Sequence, residues 1–428
     1  MQLTNAELAQ VERIKNKIPL IAAQDPEYKV FGASKWKYQW PDPVNEQYVS
    51  KWEKQHRVAL PREYRIFLRY IANGGPGFAY GLYPLRNTRI YGDIQRESPI
   101  PLYMTQAQVD TLNAQRESDD ECLFYDGSLV IMTEGCTYDI ALVVNGKYRG
   151  RLIQTDSDEE TPFRFIHDIN FLDWYERWLD DFIGGMSMGG FISSVAGSQK
   201  QLRVWFHSAT IPQLRKAIVF SLCRFPHIDA ETQALWESIC RTDSDFILCE
   251  QALIRLIAAH AACVADIMRL YFNSPGSLQK IALNNLIFAL QAGVDLDEYV
   301  EPLLLLIPQL EDNGLFEAVA IIRQTSHNRY ATFLPLLNKV AKQHQRYILH
   351  AMRQSPDFKI YQKNYVELML PVFASNEIAR VSQAIQFLFE VEDDRIPPLI
   401  NQTIERFPEL TLLCENYYRH MGNHSRHQ

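Results

Sequence analysis

Residues 60–85, LPREYRIFLRYIANGGPGFAYGLYPL, set an amphipathic segment directly before a cluster of glycines, and no other stretch constrains the fold as much. Pro61 follows Leu60 where a first helical turn tolerates a missing N–H. Tyr64, Phe67, Leu68 and Ile71 recur at i, i+3, i+4 and i+7 and so share one face of a helix. Arg62, Glu63, Arg65 and Arg69 fall on the opposite, polar face. Asn73, Gly74 and Gly75 stop the helix, because glycine reaches positive φ without a Cβ clash. Pro76-Gly77 turns the chain into an aromatic, strand-like run over 78–85 that holds Phe78, Tyr80, Gly81 and Tyr83. A phosphate cradle needs a strand before its glycines and a helix after them. Here the order is reversed, so the glycines read as a structural turn.

Upstream, Leu8, Val11, Ile14 and Ile18 keep helical spacing over 5–23, and 44–56 reads as a second helix. Between them, 22–40 is an irregular arm containing Asp25-Pro26 and several aromatics. Downstream the texture turns to β. Residues 129–133 and 138–144 are short apolar runs, and Asn145-Gly146 is a strong hairpin signal leading into 147–154. Phe163 opens a last short strand. Asn170 can cap a helix with Phe171, Trp174, Tyr175, Trp178, Leu179 and Phe182 as its apolar stripe, stopped by Gly184-Gly185. At that spacing Trp174 and Trp178 read as core.

Several of these pieces, in order, carry a resemblance. LPxxYxxFL from Leu60 to Leu68, the NGG of Asn73, Gly74 and Gly75, and YGLxPL at 80–85 resemble the SUKH superfamily, the Smi/Knr-type domain. FGA at 31–33, Asp126-Gly127-Ser128, GCTYDIALVVNGKYRGRL at 135–152 and FLDWYERWLD at 171–180 extend it over roughly 30–181, less than half of the chain. The resemblance implies an α+β domain, a small antiparallel sheet with helices, that binds proteins. Many bacterial members resemble immunity proteins that neutralise toxins, and a fungal member acts as a signalling hub. It implies no catalytic residues.

Residues 184–198, GGMSMGGFISSVAGS, are uncharged and rich in Gly and Ser, and read as a flexible linker. Beyond about residue 200, helical periods dominate and prolines recur at helix-length intervals. The domains expected are therefore 1–183, a linker over 184–200, and an all-α domain over 201–428. Helix pairs of about 40 residues suggest a HEAT-like solenoid, with a closed helical bundle as the alternative.

Composition narrows function. The formal charge of −8 lacks the basic field a nucleic-acid surface wants, and suits a basic protein partner such as a nuclease or deaminase toxin domain. No apolar run reaches membrane-spanning length and the N-terminus has no signal-peptide block. Seven cysteines without CxxC pairing read as reduced thiols, and together these features point to a cytoplasmic protein with no cofactor or metal. Two acidic clusters, Asp119-Asp120-Glu121 and the group Asp156, Asp158, Glu159 and Glu160, sit on expected loops where they can meet a partner's Lys and Arg. Arg149 and Arg151 flank Gly150 after the hairpin, and Tyr80 and Tyr83 flank the glycine turn as further contact candidates. No GxSxG elbow or matched nucleophile and base appears. The expected function is binding without catalysis: an immunity protein that occludes a toxin, with an intracellular scaffold as the alternative and a hydrolase a distant third.

Overall fold

The computed structural model describes residues 2–103, 107–108, 111, 125–156, 163–389 and 391–424. Its helical content is 59%, with one small four-stranded antiparallel sheet and a helical C-terminal region. The chain divides into two compact units, Met1–Ala252 and Leu253–Gln428.

In the first unit, α1 (Asn5–Gln24) opens with a capping box between Thr4 and Glu7. After the short α2 (Ala33–Trp36) comes α3 (Glu46–His56), capped by Asn45. The central element begins one residue later than its proline suggested: Pro61 is the N-cap of α4 (Arg62–Ile66). Its last turn is also not α. Phe67–Ile71 forms a π-turn, closed by Ala72 N donating to the Phe67 carbonyl at 3.0 Å. The apolar stripe is nonetheless buried throughout, with Tyr64, Phe67, Leu68 and Ile71 in the core. The opposite face is not left to water. Arg65 pairs with Glu46 and Glu53 of α3, Arg69 with Glu46, and Arg62 with Glu7 of α1.

The sheet is a meander of β1 (Ser128–Gly135), β2 (Tyr138–Val143), β3 (Leu152–Asp156) and β4 (Arg164–Phe165). β2 and β3 pair antiparallel from Tyr138↔Asp156 to Leu142↔Leu152. The expected hairpin exists, but Asn145-Gly146 does not close it tightly. The connection loops over 144–150 before Gly150 N returns to the Val143 carbonyl at 2.8 Å. β3 consequently starts five residues later than 147 and runs on to Asp156. Leu129, Ile131, Ile140 and Leu142 pack with the helices, and Val130, Ala141, Val143 and Ile153 face a second, smaller core with Tyr83 and Phe165. Both faces being covered explains the unbroken apolar runs. The 78–85 segment contributes bridges at Gly75↔Leu82 and Leu82↔Met132 in place of a full strand.

α5 (Phe171–Ile183) is capped by Asn170 and buries Phe171, Trp174, Tyr175, Trp178, Leu179 and Phe182. It docks on α1, where Arg13 and Lys17 reach Glu176 at 2.8 and 2.7 Å. The stretch expected to be a free linker is anchored. Phe191, Ile192 and Ser194 are buried, and Phe191 lies under the Arg177 guanidinium at 4.0 Å. Averaged composition hid the two apolar residues that do this. α6 (Gln199–Ser208), α7 (Pro212–Cys223) and α8 (Ala230–Thr242) belong to the same compact unit as the sheet.

From Val264 onward the second unit is a series of helix pairs, and their second helices begin at Ser277, Asp312, Gln345, Ile378 and Thr411. Those starts are 35, 33, 33 and 33 residues apart. Each second helix packs on the next in turn. The pairs are shorter than the 40 residues expected because first helices such as Val300–Leu306 and Tyr330–Phe333 are brief. Side-chain bonds join neighbouring pairs: Arg269 to Glu298 at 2.9 Å, Ser326 to Asp297 at 2.6 Å, and Arg395 to the Lys363 carbonyl at 3.4 Å.

Candidate functional site

The glycine turn and the N-terminal arm meet in an apolar pocket of about 210 Å³. Its walls come from Phe31 and Trp36 of the arm, Pro76 and Phe78 of the turn, Trp178 of α5 and Met188 of the anchored stretch.

Each wall is held by polar bonds behind it. Asp25 is buried and accepts from the Lys29 and Val30 amides at 2.7 and 3.0 Å and from the Tyr38 hydroxyl at 2.6 Å. Burial opposes its charge, yet these donors outweigh it and hold the carboxyl below the usual range. Trp36 Nε1 donates to the Tyr80 carbonyl at 2.8 Å. The Tyr175 hydroxyl receives Trp40 Nε1 at 2.7 Å and donates to the Pro76 carbonyl at 2.8 Å, so one buried tyrosine ties arm, turn and α5 together. Asn73 Oδ1 accepts from the Leu85 amide at 3.0 Å and closes the base of the turn.

The backbone here is strained in an unusual concentration. Tyr28, Lys37, Tyr38 and Ala79 all have positive φ, and seven non-glycine residues do so among those described. Such conformations persist only where surroundings over-determine them, and they gather at functional sites. Gly32 shows the constraint directly: at φ +80° its absent Cβ would stand 2.0 Å from the Ala79 carbonyl oxygen. Gly81, at φ +75°, has Trp36 Nε1 2.6 Å from the same position. Phe31 is held out at 61% exposure with its ring 4.9 Å from that of Tyr80. Tyr38 is the one ionisable residue lining the pocket among the described residues, and its hydroxyl is spent on Asp25. The arrangement can therefore receive an apolar group by shape, beside an exposed aromatic.

The residues singled out from the sequence are dispersed. Asp119, Asp120, Glu121, Asp158, Glu159 and Glu160 lie outside the described residues. Asp156 is not part of an open acidic loop: it is 2% exposed in β3, opposite Tyr138. Tyr83 is buried beneath Arg89, whose guanidinium lies 5.2 Å from its ring, while Tyr80 is half-buried next to Phe31. Arg149 and Arg151 do not share a strand face. Arg149 clamps the carbonyls of Ala59, Leu60 and Val144 at 2.8 to 3.1 Å, and Arg151 Nη2 donates to the Ile166 carbonyl at 3.0 Å. Gly74 and Gly75 both have positive φ, as the turn requires. The arm residues Phe31, Trp36 and Tyr38 were not singled out, although the Phe31-Gly32-Ala33 motif was their signal.

No family model, curated protein or solved structure matches the chain. Among the described residues no helix is long and apolar enough to cross a membrane. No group of three or more His, Cys, Asp or Glu among them is placed to hold a metal ion.

Proposed function

We propose that this chain is a protein-binding module of the SUKH type, acting as an immunity protein that neutralises a toxin domain by docking on it and occluding it. The observation that carries the reading is the apolar pocket at the glycine turn, framed by exposed Phe31 on strained backbone. Interfaces draw their energy from a few aromatic anchors seated in such pockets. The net charge of −8 favours encounter with a basic partner of the nuclease or deaminase kind. Action is by steric cover in the cytoplasm, without a catalytic step or cofactor. The SUKH-like topology reading rests on the helix, glycine turn and four-stranded meander in that order.

The test is a search of the neighbouring genes for a toxin domain, followed by co-expression with it. Growth rescue by the intact chain is expected, and Phe31→Asp should cut affinity for the purified toxin domain at least tenfold while leaving thermal stability unchanged, because that side chain is mostly in water. Absence of rescue, or unaltered affinity with Phe31→Asp, would sink the reading.

One observation favours the scaffold alternative. The 33-to-35-residue succession of helix pairs supports a solenoid-like arrangement, and it leaves Leu305 and Ile360 at 75% and 77% exposure. A chain lacking both side chains that still rescues growth from the toxin would separate the two roles.

A further inference from the structure

A second cavity, of about 250 Å³, lies in the first unit and has a different chemistry. Four basic side chains line it from four separate places: Arg151 at the end of the β2–β3 connection, Arg164 on β4, His167 before α5, and Lys216 on α7. Aromatic rings, among them Phe163 and Phe220, supply the rest of the wall. No carboxylate is among its lining residues that are described, in a chain whose acidic residues outnumber its basic ones by eight.

The cations are incompletely spent. Arg151 makes no ion pair among the described residues. Its Nη2 goes to a carbonyl, its guanidinium carbon lies 5.2 Å from the Phe165 ring, and its buried Nε has no acceptor among the described residues. Arg164 uses Nε on Gln154 Oε1 at 2.6 Å, and that amide is held from its other end by Glu134 at 2.6 Å. Lys216 meets Asp245 at 3.2 Å. Near His167, Asp168 gives its carboxylate to Arg177 at 2.6 Å. Asp168, Glu134 and Asp245 offset part of this positive field, and an anion placed among the cations relieves the rest while gaining charge-assisted bonds.

We propose that this cavity is a binding site for a small organic anion, one phosphate or carboxylate head carrying a single flat apolar group. The head meets Arg151 and Arg164, whose planar forks suit either oxyanion. The flat body lies against the aromatic wall. The volume, just under that of pockets that hold drug-sized ligands, limits the body to about one ring. His167 reports occupancy. Burial first of all, then the facing charges of Arg151, Arg177 and Arg164, depress its pKa to about 4, with Asp168 opposing. A bound anion, added to these groups and to Lys216 across the cavity, pulls that pKa upward.

The experiment is titration of the full chain with phenyl phosphate, benzoate and inorganic phosphate, followed by NMR of ¹³C-labelled histidine. Phenyl phosphate or benzoate should give saturable shifts of His167 and raise its pKa, with inorganic phosphate about tenfold weaker for want of the ring. Arg151→Gln should weaken binding at least tenfold. Should that variant lose its fold with the Ile166 bond, Arg164→Gln, at an exposed position, should show the same loss on a folded chain. Equal affinity for inorganic phosphate would remove the aromatic part of the proposal. No saturable shift up to about 10 mM, or unchanged binding in Arg164→Gln, would overturn it entirely.

Discussion

Removing Arg224 should release the stretch 184–198 from the first unit. Arg224 is 3% exposed and pairs with Asp181 at 2.8 Å. It also donates to the Ser187 carbonyl at 2.7 Å and to Ser194 Oγ at 2.8 Å, and stands 5.1 Å from the Phe191 ring. Arg224→Ala therefore leaves a carboxylate that is largely but not fully covered short of its nearer cation and frees two acceptors. Breaking a buried pair by removing one partner costs about 3–5 kcal/mol. Arg177 remains 3.4 Å from Asp181, so the lower end, about 3 kcal/mol, is the fitting value. At 1.36 kcal/mol per factor of ten, the open population of the stretch rises on the order of 100-fold. Native-state proteolysis reads this population when opening and closing are fast. Cleavage mapped to 184–198 should accelerate by about that factor, and Arg224→Met with Asp181→Asn should recover much of the loss. Burial raises the Asp181 pKa despite the pull of Arg224 and Arg177. A raised folded pKa means that its contribution is present at low pH and lost as pH rises, so the gap between variant and parent should narrow as acid protonates Asp181, leaving the part due to the two freed acceptors. Cleavage within about threefold of the parent at pH 7 would refute the clamp.

Four further outcomes follow from the geometry. Gly32→Ala puts a methyl against the Ala79 carbonyl at positive φ and should cost about 1–3 kcal/mol in thermal unfolding, with the apolar pocket distorted; a neutral change would show that the arm shifts freely. Tyr175→Phe strips both the Trp40 and Pro76 bonds and should cost about 1–3 kcal/mol in urea titration, an unchanged midpoint counting against the tie. The Arg62 bond, supported by Thr4, lowers the Glu7 pKa to about 2, so this group stabilises above pH 4.5 and loses its effect as pH falls toward 2; Glu7→Gln should flatten stability across that window. His167, depressed to about 4 by burial, stabilises the neutral form above its unfolded value of 6.5, so His167→Gln should remove part of the acid sensitivity between pH 6.5 and 4.

Local order was legible in the chain because it depends on neighbours a few residues away. The stripe Tyr64, Phe67, Leu68 and Ile71, the Asn170 cap and the apolar runs of β1 and β2 all lie where periodicity and capping chemistry put them. So does the change of texture from mixed α and β to helices alone. The apolar pocket was legible only in fragments, as a glycine turn and a Phe31-Gly32-Ala33 motif with nothing to say that they touch. Tertiary structure decided that contact, through the close approach of Gly32 to Ala79. It also decided the fate of the charges. Arg149, Arg151 and Asp156 stand in the sequence as candidates for meeting a partner, and nothing there marks Arg177 or Arg224. Each instead meets partners or burial supplied from elsewhere in the chain, across as many as ninety residues for Arg149 and Ala59. The stretch 184–198 is uncharged and rich in Gly and Ser, and Phe191 finds its place there only where Arg177, Arg224 and Trp174 assemble around it. Periodicity is a local property of covalent neighbours, whereas the burial of a charge or a lone aromatic is settled by whatever the fold brings beside it.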